Sequence, residues 1–160
     1  MKSTGESMGI DKDFGIAFAK SQVSAGNSLP KNGSAFISVK DDDKPLILNF
    51  AKKLKDLGFD IFGTGKTADK LNENGIICTK INKVREGSLH IVELLENKKI
   101  ALVINTSSGL KSITDSQSIR RTALNNNIPY FTTVSGAIAC TEAIEAIVKK
   151  RMSVLPIQNI

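Results

Sequence analysis

The sequence predicts an α/β fold, an open, doubly wound sheet of five parallel strands with helices on both faces. Two observations lead to this prediction. Five short segments rich in β-branched and aromatic residues alternate with segments whose apolar residues recur at helical spacing. The fourth short segment, residues 100–104, is apolar throughout. Such a run is typical of a strand that lies inside a parallel sheet and is covered by helices on both sides.

The predicted strands follow the runs of branched and aromatic residues. They span residues 35–39, 59–62, 76–78, 100–104 and 130–134. The first three predicted helices span residues 45–57, 67–74 and 88–98. A fourth is predicted to begin at the capping box formed by Thr114 and Gln117. The apolar side of the last helix is lined by Ala137, Cys140, Ile144, Ile147 and Val148. Gly58 and Gly75 are the expected C-terminal stops of the first two helices, and Ser88 is the expected cap of the third.

Residues 1–33 have a different pattern. One amphipathic helix over residues 11–22 precedes a linker, residues 24–33, that is rich in Gly, Ser and Asn. A helix and a linker are too small to form a core, so we expect this piece to pack on the sheet edge or on a segment outside the chain. The predicted divisions are a terminal segment 1–33, a main domain 34–150 and a tail 151–160.

Composition narrows the functional classes. The chain has 160 residues, 41% of them hydrophobic, and a formal net charge of +6. Its lysines are interleaved with acids and its aromatic content is 5%, which does not favour a nucleic-acid surface with stacking platforms. No apolar run approaches a membrane span of about 18 residues, and the amino terminus lacks a secretory signal. We therefore expect a cytoplasmic protein without nucleic-acid or membrane partners.

Few residues are available to bind a metal. Cys78 and Cys140 lie far apart in apolar surroundings, and His90 is the single histidine. The usual spacings of a four-ligand site cannot be assembled from them. We predict no metal site and interpret both cysteines as reduced core residues.

The most informative segment is the turn after the second strand. Gly63, Thr64, Gly65, Lys66 and Thr67 follow one another there. Glycine backbone, hydroxyl groups and an ammonium at the start of a helix favour a bound phosphate. The turn is not a nucleoside-triphosphate P-loop, because the glycine that motif needs five positions before Gly65 is replaced by Asp60.

Other polar residues are expected near this turn. In a doubly wound sheet, ligands bind beyond the carboxyl ends of the strands. The candidates for a small phosphorylated molecule are Lys44, Thr64, Lys66, Thr67 and Lys83 for the phosphate, and Asn105 for a hydroxyl or base edge. Thr106, Ser107, Thr132 and Thr133 also lie near strand ends.

These residues closely resemble the methylglyoxal-synthase-like domain that ends the large subunit of carbamoyl-phosphate synthase. The matching stretches are Lys44, Thr64-x-x-Thr67, Asn82-Lys83-Val84-x-Glu86-Gly87, His90-Ile91, Ile104-Asn105-Thr106, Ile119-Arg120-Arg121-x-Ala123-Leu124 and Thr132-Thr133. Residues 1–9 resemble the last segment of that subunit's second ATP-grasp half. The resemblance spans almost the whole chain.

The resemblance implies regulation. It implies that UMP or IMP binds with its phosphate on Lys44, Thr64, Thr67 and Lys83 and its ribose or base near Asn105, Thr106 and Ser107, and it associates Thr132 with ornithine. Lys66 stands where the family usually has glycine, so it either adds a cation to the phosphate or projects into solvent. Ser107 stands where threonine is common and keeps the hydroxyl.

The resemblance also implies a larger assembly. The chain is expected to be a carboxyl-terminal fragment without catalytic residues or cofactors of its own. The full subunit would use ATP and Mg²⁺, partner a glutaminase small subunit, form oligomers and serve pyrimidine and arginine biosynthesis as an ATP-dependent ligase.

Two alternatives stay open. One is an active methylglyoxal synthase acting on dihydroxyacetone phosphate, which needs a carboxylate base beside the phosphate. Asp60 is expected inside a strand, and Asn105-Thr106-Ser107 replaces the Asp-Pro motif of that enzyme. The other alternative is an oligomerisation module that uses the sheet edge and the helix containing Arg120 and Arg121.

Overall fold

The chain folds around a five-stranded, wholly parallel sheet. A computed structural model describes residues 6–82, 90–107, 110–154, 156 and 158, with the backbone alone for residues 110–115. The strands are β1 (Ser34–Ser38), β2 (Asp60–Thr64), β3 (Cys78–Ile81), β4 (Leu102–Asn105) and β5 (Tyr130–Phe131). Their order across the sheet is β3-β2-β1-β4-β5. The strand order therefore reverses between β1 and β4.

Helices cover both faces of this sheet. They are α1 (Phe14–Ser24), α2 (Ile47–Asp56), α3 (Gly65–Glu73), α4 (Ile91–Glu96), α5 (Leu110–Asn125) and α6 (Val134–Lys149), with a 3₁₀ helix over Asp41–Leu46. No helix in the described part of the chain is long and apolar enough to cross a membrane. The predicted doubly wound α/β fold is confirmed.

The core has two layers because successive strand residues point to opposite faces. Ala35 and Ile37 of β1 lie in a cluster with the apolar residues of α2, α3 and α6, while Phe36 lies in a second cluster with those of α4 and α5. β4 is buried at all of its positions, as predicted. β1 and β4 are thus the central strands on which both helical layers pack.

The predicted helix over residues 45–57 is confirmed in its buried face and in its end. Ile47, Phe50, Ala51 and Leu54 are buried. Gly58 follows with φ +88°, a left-handed conformation that favours glycine. The residues before Ile47 form the 3₁₀ helix, so Pro45 belongs to that element.

The third strand was predicted at the wrong residues. β3 begins at Cys78, whereas Ile77 is 72% exposed. Asn72 at the end of α3 explains the shift: its Oδ1 accepts from Cys78 N at 2.9 Å and its Nδ2 donates to Cys78 O at 3.0 Å. Ile76 N donates to Leu71 O, so Ile76 belongs to the helix end.

Two other sequence interpretations are wrong. α5 begins at Leu110, so Thr114 is its fifth residue and does not open the helix. Val148 is 47% exposed, although Ala137, Cys140, Ile144 and Ile147 line the buried face of α6 as predicted. The expected cap Ser88 lies outside the described residues, and α4 is described from Ile91.

The amino-terminal helix packs on α6. Asp13 caps α1 by accepting from Ile16 N at 3.2 Å, and Lys150 Nζ contacts Asp13 Oδ2 at 3.0 Å. Ile16 and Ala19 are buried in the same cluster as β1 and α6. From the sequence we expected this helix to pack on the sheet edge or on a segment outside the chain, and the structure places it on α6. The domain boundary near residue 33 stays a prediction.

Gly15 allows the close approach of α1 to α6. A Cβ at this position would lie 2.7 Å from the backbone oxygen of Glu142 and 2.8 Å from Ala146 Cβ. We expect Gly15→Ala to lower the free energy of unfolding by about 1–3 kcal/mol through overpacking, although alanine favours an exposed helix by about 0.5–1 kcal/mol.

Urea unfolding measures this effect, and Gly136→Ala is the matched control. Gly136 is also helical, but its Cβ would meet only side-chain atoms, Thr133 Oγ1 at 3.0 Å and Phe131 Cδ1 at 3.4 Å, and not the backbone of another helix. Equal stability of the two variants would contradict the close α1–α6 contact.

Both thiols are buried and free, as predicted. Burial raises the pKa of Cys78 to about 11 and raises the pKa of Cys140 as well. Because the thiolate is the reactive form, we expect neither cysteine of the folded chain to react with an aromatic disulfide reagent near neutral pH. Both should react in denaturant, which is the positive control. Rapid labelling of the folded chain would contradict this burial.

Candidate anion-binding site

The candidate site lies where the strand order reverses, beyond the carboxyl ends of β1, β2 and β4. The register pairs Ser38 of β1 with Asn105 of β4, and Ile37 with Gly63 of β2. The chain leaves these three strands at the same edge of the sheet. Open α/β sheets bind ligands in the crevice formed at such a point.

The turn from β2 into α3 is the first side of the site. Thr64 is buried, and its hydroxyl lies 2.8 Å from that of Ser38. Thr64 is also the N-cap residue of α3, and its side chain does not cap the helix. The backbone N–H groups in the first turn of α3 therefore make no hydrogen bond to the side chain of Thr64. Such groups attract anions.

Thr67, one turn into α3, links that helix to β1. Its hydroxyl accepts from Val39 N at 3.3 Å and lies 3.5 Å from Val39 O. Gly65 has φ +33°, which favours glycine at the start of the helix. The turn predicted from the sequence is therefore fixed by contacts to the neighbouring strand.

The end of β4 is the second side. Thr106 Oγ1 accepts from Lys40 N at 3.1 Å and donates to Asp43 Oδ2 at 2.7 Å. The single hydroxyl proton of Thr106 is therefore committed to Asp43. Asn105 Nδ2 donates to the Tyr130 hydroxyl at 2.9 Å. Burial raises the pKa of Tyr130, and the bond from Asn105 opposes that shift.

Three lysines and two aspartates determine the local charge. Lys44 Nζ donates to Asp41 Oδ1 in a short contact, and Lys66 Nζ lies 3.8 Å from Asp41 Oδ2. Lys40 Nζ lies 3.9 Å from Asp43 Oδ1. The Lys44 side chain is 13% exposed and that of Lys66 is 81% exposed. The side chain of Lys66 is thus mostly in solvent, and its ammonium also lies near the carboxylate of Asp41.

The structure brings most of the predicted residues to one edge. Lys44, Thr64, Lys66 and Thr67 lie around the start of α3, and Asn105 and Thr106 end β4. Ser107 and Thr132 are exposed, Thr132 after the outer strand β5. Lys83 lies outside the described residues.

Sequence reasoning missed four polar partners of the site. These are Ser38, Asp41, Asp43 and Tyr130. The first three lie at the end of β1 or just after it, where a census of strand ends could have found them. Tyr130 had no such signal, because its contact depends on the pairing of β4 with β5.

Of the acid–base candidates weighed from the sequence, Asp60 lies away from this edge. Asp60 is the first residue of β2, pairs with Ser34 and is exposed at the opposite edge of the sheet. His90 Nδ1 is buried without a partner among the described residues, and Nε2 lies 3.9 Å from Glu93 Oε1. The described residues contain no group of three potential metal ligands.

Comparison with known proteins identifies the family of this chain. The family model described as "MGS-like domain" matches residues 46–132. The carbamoyl phosphate synthase large chain of Rhizobium meliloti (strain 1021) is 47% identical over 159 residues, which cover 99% of this chain and 14% of the relative.

Two relatives carry the name of a section of that protein. The "Carbamoyl phosphate synthase large chain, C-terminal section" of Aquifex aeolicus is 47% identical and that of Methanocaldococcus jannaschii 48% identical, each over 100% of this chain. This chain spans 31% and 26% of their respective lengths. It is therefore similar to a part of each relative.

A solved structure supports the fold alone. Methylglyoxal synthase from Elizabethkingia anophelis NUHP1 has a TM-score of 0.53 and 15% sequence identity, and the match covers 69% of this chain and 79% of that one.

The resemblance drawn from the sequence is confirmed: because the family model covers more than half of the residues, this chain belongs to the MGS-like domain family.

Proposed function

We propose that the chain is a regulatory, nucleotide-binding part of a carbamoyl phosphate synthase large chain. One observation supports this function above the others. Segments distant in sequence bring an uncapped helix start, a mostly buried lysine and buried amide and hydroxyl groups to one edge of the sheet. Such groups favour a phosphorylated ligand.

The ligand we propose is a nucleoside monophosphate, UMP or IMP. Its phosphate would bind at the start of α3, near Lys44, Thr64 and Thr67. Lys66 and Lys83 are further candidate cations. The ribose or base would lie toward Asn105 and Ser107, at the carboxyl end of β4.

We propose that the bound nucleotide acts at a distance. This chain corresponds to a minor part of each relative's length, and the relatives' name implies an ATP-dependent ligase whose catalytic residues would lie elsewhere. A ligand that prefers one arrangement of the parts shifts the population toward it, with a coupling of about 1–3 kcal/mol. The same proposal includes a cytoplasmic location, a role in the pyrimidine and arginine pathways, a glutaminase partner, ornithine binding near Thr132 and oligomerisation.

Titration calorimetry of the purified chain tests the core of this proposal. The ligands are UMP, IMP, ornithine and dihydroxyacetone phosphate, with inorganic phosphate as a control and methylglyoxal assayed in parallel. Nucleotide binding without turnover is the expected result. Methylglyoxal production would favour the synthase alternative, and a failure of every nucleotide to bind would contradict the proposal.

Lys44 gives the sharpest mutational test of the site. Its ammonium is mostly removed from solvent, so loss of a charged hydrogen bond to phosphate should be costly. We expect Lys44→Met to weaken UMP binding by about 1.5–3 kcal/mol. The matched control is Lys55→Met, the same charge change at the opposite edge of the sheet, where Lys55 pairs with Asp60. Equal effects of the two variants would refute the assigned location.

Variants of Thr106 test whether this residue positions the loop after β1 or contacts the ligand directly. Thr106→Val removes the acceptor of Lys40 N–H and the donor to Asp43, so we expect the free energy of unfolding to fall by about 1–3 kcal/mol. Thr106→Ser keeps the hydroxyl and should keep stability and affinity near those of the parent chain. Denaturant unfolding and calorimetry measure both quantities. If Thr106→Val weakened binding with stability unchanged, the positioning role would be wrong.

A further inference from the structure

Asp41 lies between the two cations at the start of α3. One of its carboxylate oxygens accepts from Lys44, and the other lies 3.8 Å from Lys66 Nζ. Its side chain is 73% exposed, whereas that of Lys44 is 13% exposed. An exposed acid is thus the counter-ion of a mostly buried base.

This arrangement means that a ligand phosphate and Asp41 require the same donors. Carboxylate and phosphate oxygens both accept hydrogen bonds from ammonium groups. Resting on the proposed function, we propose that Asp41 is an internal competitor of the ligand. It holds the charge of Lys44 in the empty site and must move aside when a phosphate binds.

The exposures favour an exchange of this kind. Asp41 can turn into water, where its charge is well solvated, without any change in the strands. Lys44 cannot turn as easily, and a partly buried charge left without a partner is costly. The ligand phosphate therefore takes the place of the carboxylate beside an ammonium that stays in position.

The charge of the groups around Asp41 also favours some anions over others. Lys40, Lys44 and Lys66 are paired with Asp41 and Asp43, so these five groups together carry a net charge of only +1. A phosphate monoester brings about −1.5 to −2 near pH 7 and exceeds the charge of the carboxylate it displaces. A monoanion, such as a phosphodiester, merely replaces it. Because Asp41 must move aside for either anion, the stronger attraction of a monoester comes from its own larger charge.

Asp41→Asn tests the proposal, with Asp42→Asn as its control. Asp42 is the next residue, is also exposed and lies in the same first turn of the 3₁₀ helix. Both variants change the net charge equally, so a difference between them reports the local contacts of Asp41. Calorimetry near pH 7 with UMP, methyl phosphate and the monoanion dimethyl phosphate gives the affinities, and thermal unfolding shows that each variant is folded.

Relative to Asp42→Asn, we expect Asp41→Asn to tighten UMP binding about two- to fivefold, the factor typical of an exposed ion pair. The gain for dimethyl phosphate should be similar, because the same ion pairs are lost when either anion displaces the carboxylate. Equal affinities of the two variants, or weaker binding by Asp41→Asn, would overturn the inference while UMP binding by the parent chain leaves the proposed function intact.

The opposite pattern separates the two proposals. If the parent chain fails to bind nucleotides but Asp41→Asn binds phosphate esters, the competition is supported and the proposed function is not. If neither chain binds any of these anions, both proposals fail.

Discussion

Parallel pairing of β1 on both of its sides is the constraint on which the candidate site depends. β1 pairs with β2 through Ile37 and Gly63 and with β4 through Ser38 and Asn105, and the ladder continues where Thr106 N donates to Ser38 O at 3.0 Å. Glycine fits at position 63, because the Cβ of any other residue would lie 2.9 Å from Cys78 Sγ. This close spacing brings three loops within hydrogen-bond reach of one another. A shift of one residue in either register would separate their side chains.

The same spacing gives the three buried threonines of the candidate site different roles. A phosphate accepts hydrogen bonds, so a threonine can hold it only with a proton that is free to be donated. Ser38 can donate to Thr64, which leaves the Thr64 proton for a ligand, and the contact of Thr67 with Val39 O is long, at 3.5 Å. Thr106 instead donates to Asp43 at 2.7 Å. Thr64 and Thr67 are suited to hold a phosphate, whereas Thr106 positions the loop after β1.

Periodicity predicted those elements whose residues act locally. The buried face of α2 and the wholly apolar β4 follow from spacing along the chain, and both are confirmed. One error and one omission lie where a side chain from another element decides the outcome. Asn72 moves the start of β3 to Cys78, although Ile76 and Ile77 have the composition of a strand. The partner of Asn105, Tyr130, depends on strand order, which no local pattern encodes.

Charge at the start of α3 is the part of the site that motifs describe least well. A lysine in the first turn of a helix faces the positive end of the helix dipole, which is unfavourable. Asp41 lies 3.8 Å from Lys66 and also accepts from Lys44, so a single carboxylate offsets the dipole, the exposed lysine and the mostly buried one. A phosphate at the same place would meet the same three positive groups with more charge and more acceptor oxygens. The carboxylate of Asp41 thus lies at a position whose electrostatics would suit a phosphate.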